Sequence, residues 1–147
     1  MSFRDQDFNR RFEKMGDEAE GVFEQVAKLG FARFGLSRPP VQVGKLPDFV
    51  RYTPDYLQTN RLVEVQGCGQ DGMLKFKLDK LAALSDWNEI MPVCLFVWDR
   101  KRRCYAEFPL STLIEWYTTD QGERGTFPEG KAYFGVSVDR IEGWVEL

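Results

Sequence analysis

Residues 52–67, with the sequence YTPDYLQTNRLVEVQG, contain the pattern from which the fold class is predicted. Residues 52–57 and 62–66 have the composition of short strands, and the polar tetrapeptide 58–61 lies between them. Two such segments separated by a few polar residues indicate a pair of strands joined by a tight turn. Helical and strand patterns then alternate along the rest of the chain, which predicts an α/β protein.

Glu64 and Gln66 form a polar pair on a strand that otherwise consists of Val and Leu. Because side chains alternate along a strand, both project from one face, roughly 6–7 Å apart, while Val63 and Val65 face the other way. Asp55 lies near the end of the preceding strand, and pairing of the two strands as a hairpin would let Asp55 and Glu64 converge on one cation. In the alternative interpretation, Glu64 and Gln66 lie on the solvated face of a half-exposed strand and Asp55 is a turn residue.

The first helix is predicted from Gly16 to about Arg33, because apolar residues recur at helical spacing and acidic residues occupy the first turns. A loop rich in Pro and Gly is expected to follow, up to about Pro47. After a glycine-rich turn at residues 67–72, a second helix is predicted to about Trp87, although the alternation in residues 74–78 equally permits a strand at its start.

The continuous apolar run from Pro92 to Trp98 is typical of a central strand covered on both faces. The segments after it are predicted as a basic turn at 100–103, a partner strand from Cys104 to Phe108, a short helix capped by Ser111 and ending at Tyr117, a polar loop from Gln121 to Lys131, and a closing strand-like pair at 132–138 and 143–147.

Length and composition indicate one domain that spans residues 1–147, with 43% hydrophobic and 29% charged residues, as in ordinary globular proteins. No apolar run approaches the roughly 18 residues of a membrane span, so we expect a soluble, cytoplasmic protein without a membrane partner. The three cysteines contain no CxxC pair and are expected to be reduced. The absence of histidine excludes an imidazole base, Ser-His-Asp and Cys-His sites, and the common zinc hydrolases.

The chain is slightly acidic, with 20 basic and 23 acidic residues and a net charge of −3, which argues mildly against a protein that simply coats phosphates. Its basic residues are nevertheless clustered. The two clusters are Arg100, Lys101, Arg102 and Arg103, and Lys75, Lys77 and Lys80. An acidic protein of this kind can still present a basic groove to nucleic acid.

The order of these motifs resembles the PD-(D/E)xK nuclease superfamily, and within it most closely the small resolvase-like and phage-encoded nucleases. The resemblance covers about the first two-thirds of the chain: a first helix with Gly16, Ala19, Glu20 and Phe23, then Thr53-Pro54-Asp55, then Leu62-Val63-Glu64-Val65-Gln66-Gly67. It implies a restriction-endonuclease-like mixed central sheet flanked by helices. It also implies a metal-dependent endonuclease that acts on DNA, including branched or junction DNA, and a homodimer is compatible with it.

The resemblance implies that Asp55, Glu64 and the carbonyl of Val65 bind Mg²⁺ or Mn²⁺, and that Glu20 adds a nearby carboxylate. Oxygen ligands suit such hard cations, and two carboxylates with a metal allow phosphodiester hydrolysis without histidine. For Glu20 the alternative is an acid that interacts with the helix dipole. Asp48, in a second Pro-Asp pair, is an alternative to Asp55, which is preferred because it is nearer to Glu64.

The chain departs from the family where Gln66 replaces the usual lysine, because glutamine supplies dipoles but no charge. Lys75 and Lys77 are candidates to supply the missing charge near the phosphate; alternatively they lie on a solvated face. Lys80 and the run Arg100–Arg103 are candidates for contacts to the DNA backbone, and the run could instead be a soluble hairpin tip. An inactive nuclease-fold protein that binds DNA or assembles with partners is therefore the second hypothesis.

Overall fold

The computed structural model describes residues 16–35 and 46–147, and its first element is a helix, α1, at residues 16–26. The sequence predicted that this helix would continue to about Arg33, which is wrong. Gly30 adopts a left-handed φ of 69°, and the chain then enters a short strand, β1, at Ala32–Arg33. Leu29, one of the apolar residues at helical spacing on which that prediction rested, is 54% exposed. Most of the loop predicted up to Pro47 lies outside the described residues.

The hairpin predicted around residues 58–61 is present. Its strands are β2, at Tyr56–Leu57, and β3, at Leu62–Gly67, and they pair antiparallel with Tyr56 opposite Val63. The first strand is shorter than predicted, because the short helix α2 occupies Asp48–Arg51 and Tyr52 caps its end. Val63 and Val65 belong to one core cluster and Leu62 to another, which confirms the predicted alternation.

The glycine-rich turn leads into β4 at Met73–Lys77 and then directly into helix α3 at Leu78–Ile90. Both patterns seen in the sequence are therefore real, with the strand first. Next come β5 at Val93–Asp99, which is buried throughout, and β6 at Cys104–Pro109, joined by the predicted basic turn. The central strand and its partner are confirmed.

The last third of the chain departs from prediction in three places. Helix α4, Leu110–Thr118, begins after Pro109 without a side-chain cap, so Ser111 lies inside it. Part of the predicted polar loop is a strand, β7, at Glu123–Thr126. The closing strands β8, Ala132–Ser137, and β9, Val145–Glu146, are separated by the 3-10 helix Val138–Arg140 and lie in different sheets.

In the described part of the chain, the first sheet has six strands in the order β1-β2-β3-β5-β6-β9, and the second has three in the order β4-β8-β7. Strands β3 and β5 are parallel, whereas the other neighbours are antiparallel. Helix α1 packs on one face of the first sheet, and α3, α4 and the second sheet pack on the other. This is a restriction-endonuclease-like arrangement, a mixed central sheet flanked by helices. No helix in residues 16–35 and 46–147 is long and apolar enough to span a membrane.

Candidate functional site

Asp55 and Glu64 meet where the pairing of β2 and β3 ends. Because Tyr56 lies opposite Val63, the next residues outward, Asp55 and Glu64, face each other across the hairpin. The Oδ2 atom of Asp55 accepts a hydrogen bond of 2.8 Å from the Val65 N–H, so the carboxylate continues the edge of the sheet where the β2 backbone has turned away. Local strand pairing thus brings together two carboxylates that are separated in the sequence.

The two carboxylates lie in a poorly solvated environment. Glu64 is 6% exposed, and its pKa is raised well above the usual range, first by burial and second by the nearby charge of Asp55. The pKa of Asp55 is also raised by burial, which the charge of Lys80 and the Val65 N–H partly offset. Two neighbouring acids whose pKa values are raised by desolvation mark a candidate functional site.

Lys80, which we expected among the phosphate contacts, instead lies against this pair. From the first turn of α3 its Nζ atom is 3.2 Å from Glu64 Oε1 and donates a hydrogen bond of 3.3 Å to Gln66 Oε1. Gln66 is fixed at its other end, because its Nε2 atom donates to the backbone carbonyl of Lys75 at 2.7 Å. The structure therefore places an ammonium group, a carboxylate and an amide side by side on one face of β3.

Glu20 approaches from the opposite face of the sheet, on α1. Its carboxylate pairs with the guanidinium of Arg33 at 2.9 Å, and Arg33 in turn lies over the Tyr56 ring, 4.9 Å from its centroid. The pKa of Arg33 is raised chiefly by its hydrogen bond to Glu20. The charge of Glu20 also contributes to the raised pKa of Asp55, whereas its hydrogen bond is to Arg33.

Lys75 and Lys77, which the sequence suggested as sources of positive charge, do not contact Asp55 or Glu64. The Nζ atom of Lys75 is 3.0 Å from Asp71 Oδ2, and that of Lys77 is 3.5 Å from Glu129 Oε1. Along β4 these lysines alternate with buried residues, so they point to the other side of the second sheet. Asp48 is exposed at the start of α2.

The basic run lies at the tip between β5 and β6. Arg100 pairs with Glu18 at 3.2 Å. Arg102 bonds to the buried Asp99 at 2.6 Å and lies over the Trp144 ring. For Lys101 the structure gives a backbone contact, in which its N–H donates to Asp99. Because β3 and β5 run parallel, this turn is at the same end of the sheet as Gln66 and Gly67.

The donor set at Asp55 and Glu64 fits a hard divalent cation. In the chain as described, no group of three or more Asp, Glu, His or Cys side chains is arranged to hold a metal. Mg²⁺, however, is commonly held by one or two carboxylates and completes its shell with water. The buried Oε2 atom of Glu64 has no hydrogen-bond partner among the described residues. The carbonyl of Val65 points to the same side of β3 as its N–H, toward Asp55.

Two features of this site escaped the sequence analysis. Arg33 was assigned to a helix, and nothing in the local sequence indicated that it would return to Glu20. Lys80 follows two other lysines, and its approach to Glu64 depends on how α3 packs on the sheet. The single available signal was the uncharged amide of Gln66 at a position where the resemblance leads us to expect a lysine.

No protein-family model and no curated protein matches the sequence. Among solved structures, the chain is similar to Hjc, a Holliday junction resolvase from the archaeal hyperthermophile Archaeoglobus fulgidus. The TM-score is 0.52 over 90% of this chain and 91% of that chain, at 15% sequence identity. At this level of identity the likeness shows the fold alone, a mixed central sheet flanked by helices.

Proposed function

We propose that the protein is a divalent-metal-dependent endonuclease that cleaves DNA, with four-way junctions as its preferred class of substrate. The observation that carries the proposal is the pairing of the half-buried Asp55 with the buried Glu64, across the β2–β3 hairpin of a resolvase-like fold. The choice of branched DNA rests on the structural similarity to a Holliday junction resolvase. We further propose that the chain acts as a homodimer, because a junction presents two symmetric strands, and sedimentation velocity would test this.

Asp55, Glu64 and the Val65 carbonyl would hold Mg²⁺ or Mn²⁺. The cation supplies a polarised phosphate and a bound water of lowered pKa. The residues of the chain prepare the site for it. The Val65 N–H orients Asp55, the body of the sheet shields Glu64 from solvent, and Arg33 holds Glu20 on the opposite face.

The basic turn would contact the DNA backbone. It follows the end of β5, level with Gln66 and Gly67 at the end of β3, and the side chains of Arg100 and Lys101 extend from a solvent-exposed tip. Arg102 instead donates a hydrogen bond to Asp99 and stabilises the turn. A local basic tip can attract phosphates to a protein whose net charge is −3.

The test is cleavage of a labelled four-way junction, a linear duplex and a supercoiled plasmid, each with Mg²⁺, Mn²⁺ or EDTA. Wild type should cleave with metal, and Glu64→Gln and Asp55→Asn should each lower the rate by at least about 10². Asp48→Asn is the matched control, because Asp48 also follows a proline but lies exposed on α2. Loss of cleavage in Asp48→Asn but not in Asp55→Asn would mean that Asp48, and not Asp55, belongs to the active site. No cleavage of any substrate by wild type would overturn the enzymatic proposal.

A second candidate is a nuclease-fold module that binds DNA without cleaving it. Gln66, where the resemblance leads us to expect a lysine, and the acidic net charge favour this candidate. It predicts binding of the junction that weakens with salt, with no product under any metal condition. Wild-type cleavage that requires Glu64 would exclude it.

A further inference from the structure

Gln66 uses both ends of its amide. Its Nε2 atom donates 2.7 Å to the Lys75 carbonyl on β4, and its Oε1 atom accepts 3.3 Å from the Lys80 ammonium. The first bond ties β3 to the next strand in the chain and orients the amide. The oxygen is thereby directed at Lys80, so Gln66 acts as a fixed hydrogen-bond acceptor for that ammonium.

Lys80 is held more firmly than a surface lysine usually is. Its side chain is 20% exposed, its Nζ atom lies 3.2 Å from Glu64 Oε1, and the ammonium lies 5.3 Å from the centroid of the Phe76 ring. A lysine has a long stem with many rotamers, so a defined position for its charge needs several contacts. Gln66, Glu64 and Phe76 provide them here.

We propose that Gln66 and Lys80 together replace a single lysine on β3, with Lys80 supplying the cationic group beside the reacting phosphate and Gln66 acting as its positioning residue. This inference rests on the proposed nuclease function. The positive charge belongs to a residue of α3 and not of β3. The Lys80 ammonium nevertheless lies on the same face of β3 as Glu64.

The neighbouring lysines are poorly placed for the same task. Lys75 contributes its backbone carbonyl to Gln66, while its ammonium pairs with Asp71 on the far side of the second sheet. Lys77 pairs with Glu129 on that side as well. Among the three lysines of this cluster, Lys80 is the one whose ammonium contacts both polar side chains of β3.

The experiment compares wild type with Lys80→Met, Gln66→Ala, the double variant Gln66→Ala/Lys80→Met, and the swap Gln66→Lys/Lys80→Met. Two quantities are measured: Mn²⁺ affinity by isothermal titration calorimetry, and single-turnover cleavage of the four-way junction. Lys80→Met should cleave about 10² to 10³-fold more slowly, as when one transition-state donor is removed. It should bind Mn²⁺ more tightly than wild type, because a positive charge next to the cation has been removed.

Gln66→Ala should also slow cleavage, and it should have no further effect in the Lys80→Met background, because a positioning residue acts only through the group that it positions. The swap variant should cleave at least about tenfold faster than Lys80→Met, because a lysine at position 66 restores the charge on the same face of β3. A merely structural role of either residue would weaken Mn²⁺ binding together with cleavage and would not be rescued by the swap. Additive losses, or failure of the swap, would overturn the inference.

Lys77→Met is the rival variant, also a lysine replaced by Met and only three positions away. Cleavage lost in Lys77→Met and kept in Lys80→Met would overturn the inference and leave the proposed function standing. A wild type that binds Mn²⁺ but cuts no substrate would overturn the proposed function. In that case the Mn²⁺ affinity tests whether the Lys80 ammonium lies next to the cation. Tighter Mn²⁺ binding in Lys80→Met, reversed in the swap variant, would support this position. Unchanged affinity would overturn it.

Discussion

Glu64 carries a carboxylate that is 6% exposed, beside the like charge of Asp55. Because its pKa is raised in the folded protein above the usual value near 4.5, the folded state holds the proton more tightly than the unfolded chain does. Stability from this group is therefore present at low pH and is lost as pH rises from about 4.5 through the raised pKa. The residue that would bind the cation is thus expected to destabilise the metal-free protein at neutral pH.

Glu64→Gln should raise the free energy of unfolding of the metal-free protein at pH 8 by about 1–2 kcal/mol. Since each kcal/mol shifts Tm by roughly 2–4 °C in a domain of this size, Tm should rise by several degrees. The gain should shrink toward pH 4.5, where the wild-type carboxyl is protonated. Thermal unfolding in EDTA across this pH range measures it. Melting curves of wild type and variant that shift in parallel with pH would contradict the assignment of a buried, charged Glu64.

Asp55 has a structural task besides metal binding, because its Oδ2 atom accepts the Val65 N–H. Asp55→Ala leaves this N–H without its partner at a part-buried edge and should cost about 1–3 kcal/mol. Asp55→Asn keeps an oxygen acceptor and should cost clearly less. Urea unfolding of the two variants in EDTA gives the comparison, and equal losses would mean that the hydrogen bond contributes little.

At the level of elements, α1 and the β7–β8 hairpin place glycines in opposite situations. Gly21 lies in α1 with open space where a Cβ would be, whereas a Cβ on Gly125 would lie 2.5 Å from the Tyr133 ring. The ring lies over Gly125, and this close approach explains why a glycine occurs in β7. Glycines are depleted in strands, so the sequence of this segment resembled a loop.

Gly21→Ala should therefore stabilise the protein by about 0.5–1 kcal/mol, because alanine has less backbone freedom to lose in a helix. Gly125→Ala should destabilise it by about 1–3 kcal/mol, because the Tyr133 ring must move. Thermal unfolding of both variants gives the signs. A destabilising Gly21→Ala would indicate that α1 packs differently around residue 21, and a neutral Gly125→Ala would indicate a mobile Tyr133.

For the whole molecule, the parallel pairing of β3 and β5 places the basic turn at the end of the sheet where β3 also ends, beyond Gln66 and Gly67. Lys101→Ala should leave Tm nearly unchanged and lower the slope of log affinity for DNA against log salt by about 1, as for one lost phosphate contact. Arg102→Ala should lower Tm, because Arg102 bonds to the buried Asp99 at 2.6 Å. Fluorescence anisotropy across a salt series measures the slopes, and an unchanged slope in Lys101→Ala would remove the turn from the DNA surface.

Periodicity in the sequence was sufficient for the β2–β3 hairpin, the central strand β5 and the two faces of β3. These elements depend on local alternation and on continuous apolar runs, which neighbouring residues determine. The end of α1 at residue 26 and the strand β7 were missed. Both depend on contacts with distant residues, since β1 pairs with Tyr56 and Leu57, and β7 pairs with β8 under the Tyr133 ring.

The sequence by itself determined which acids are available: Asp55 and Glu64 follow from a strand pattern and a short turn between them. Only the tertiary structure decided which base joins them. The sequence does not distinguish between Lys75, Lys77 and Lys80. In the structure the first two point away from the site along β4, whereas Lys80, at the start of α3, contacts Glu64 and Gln66. Strand alternation is a local property, whereas the approach of a helix to a sheet depends on packing of the core between them.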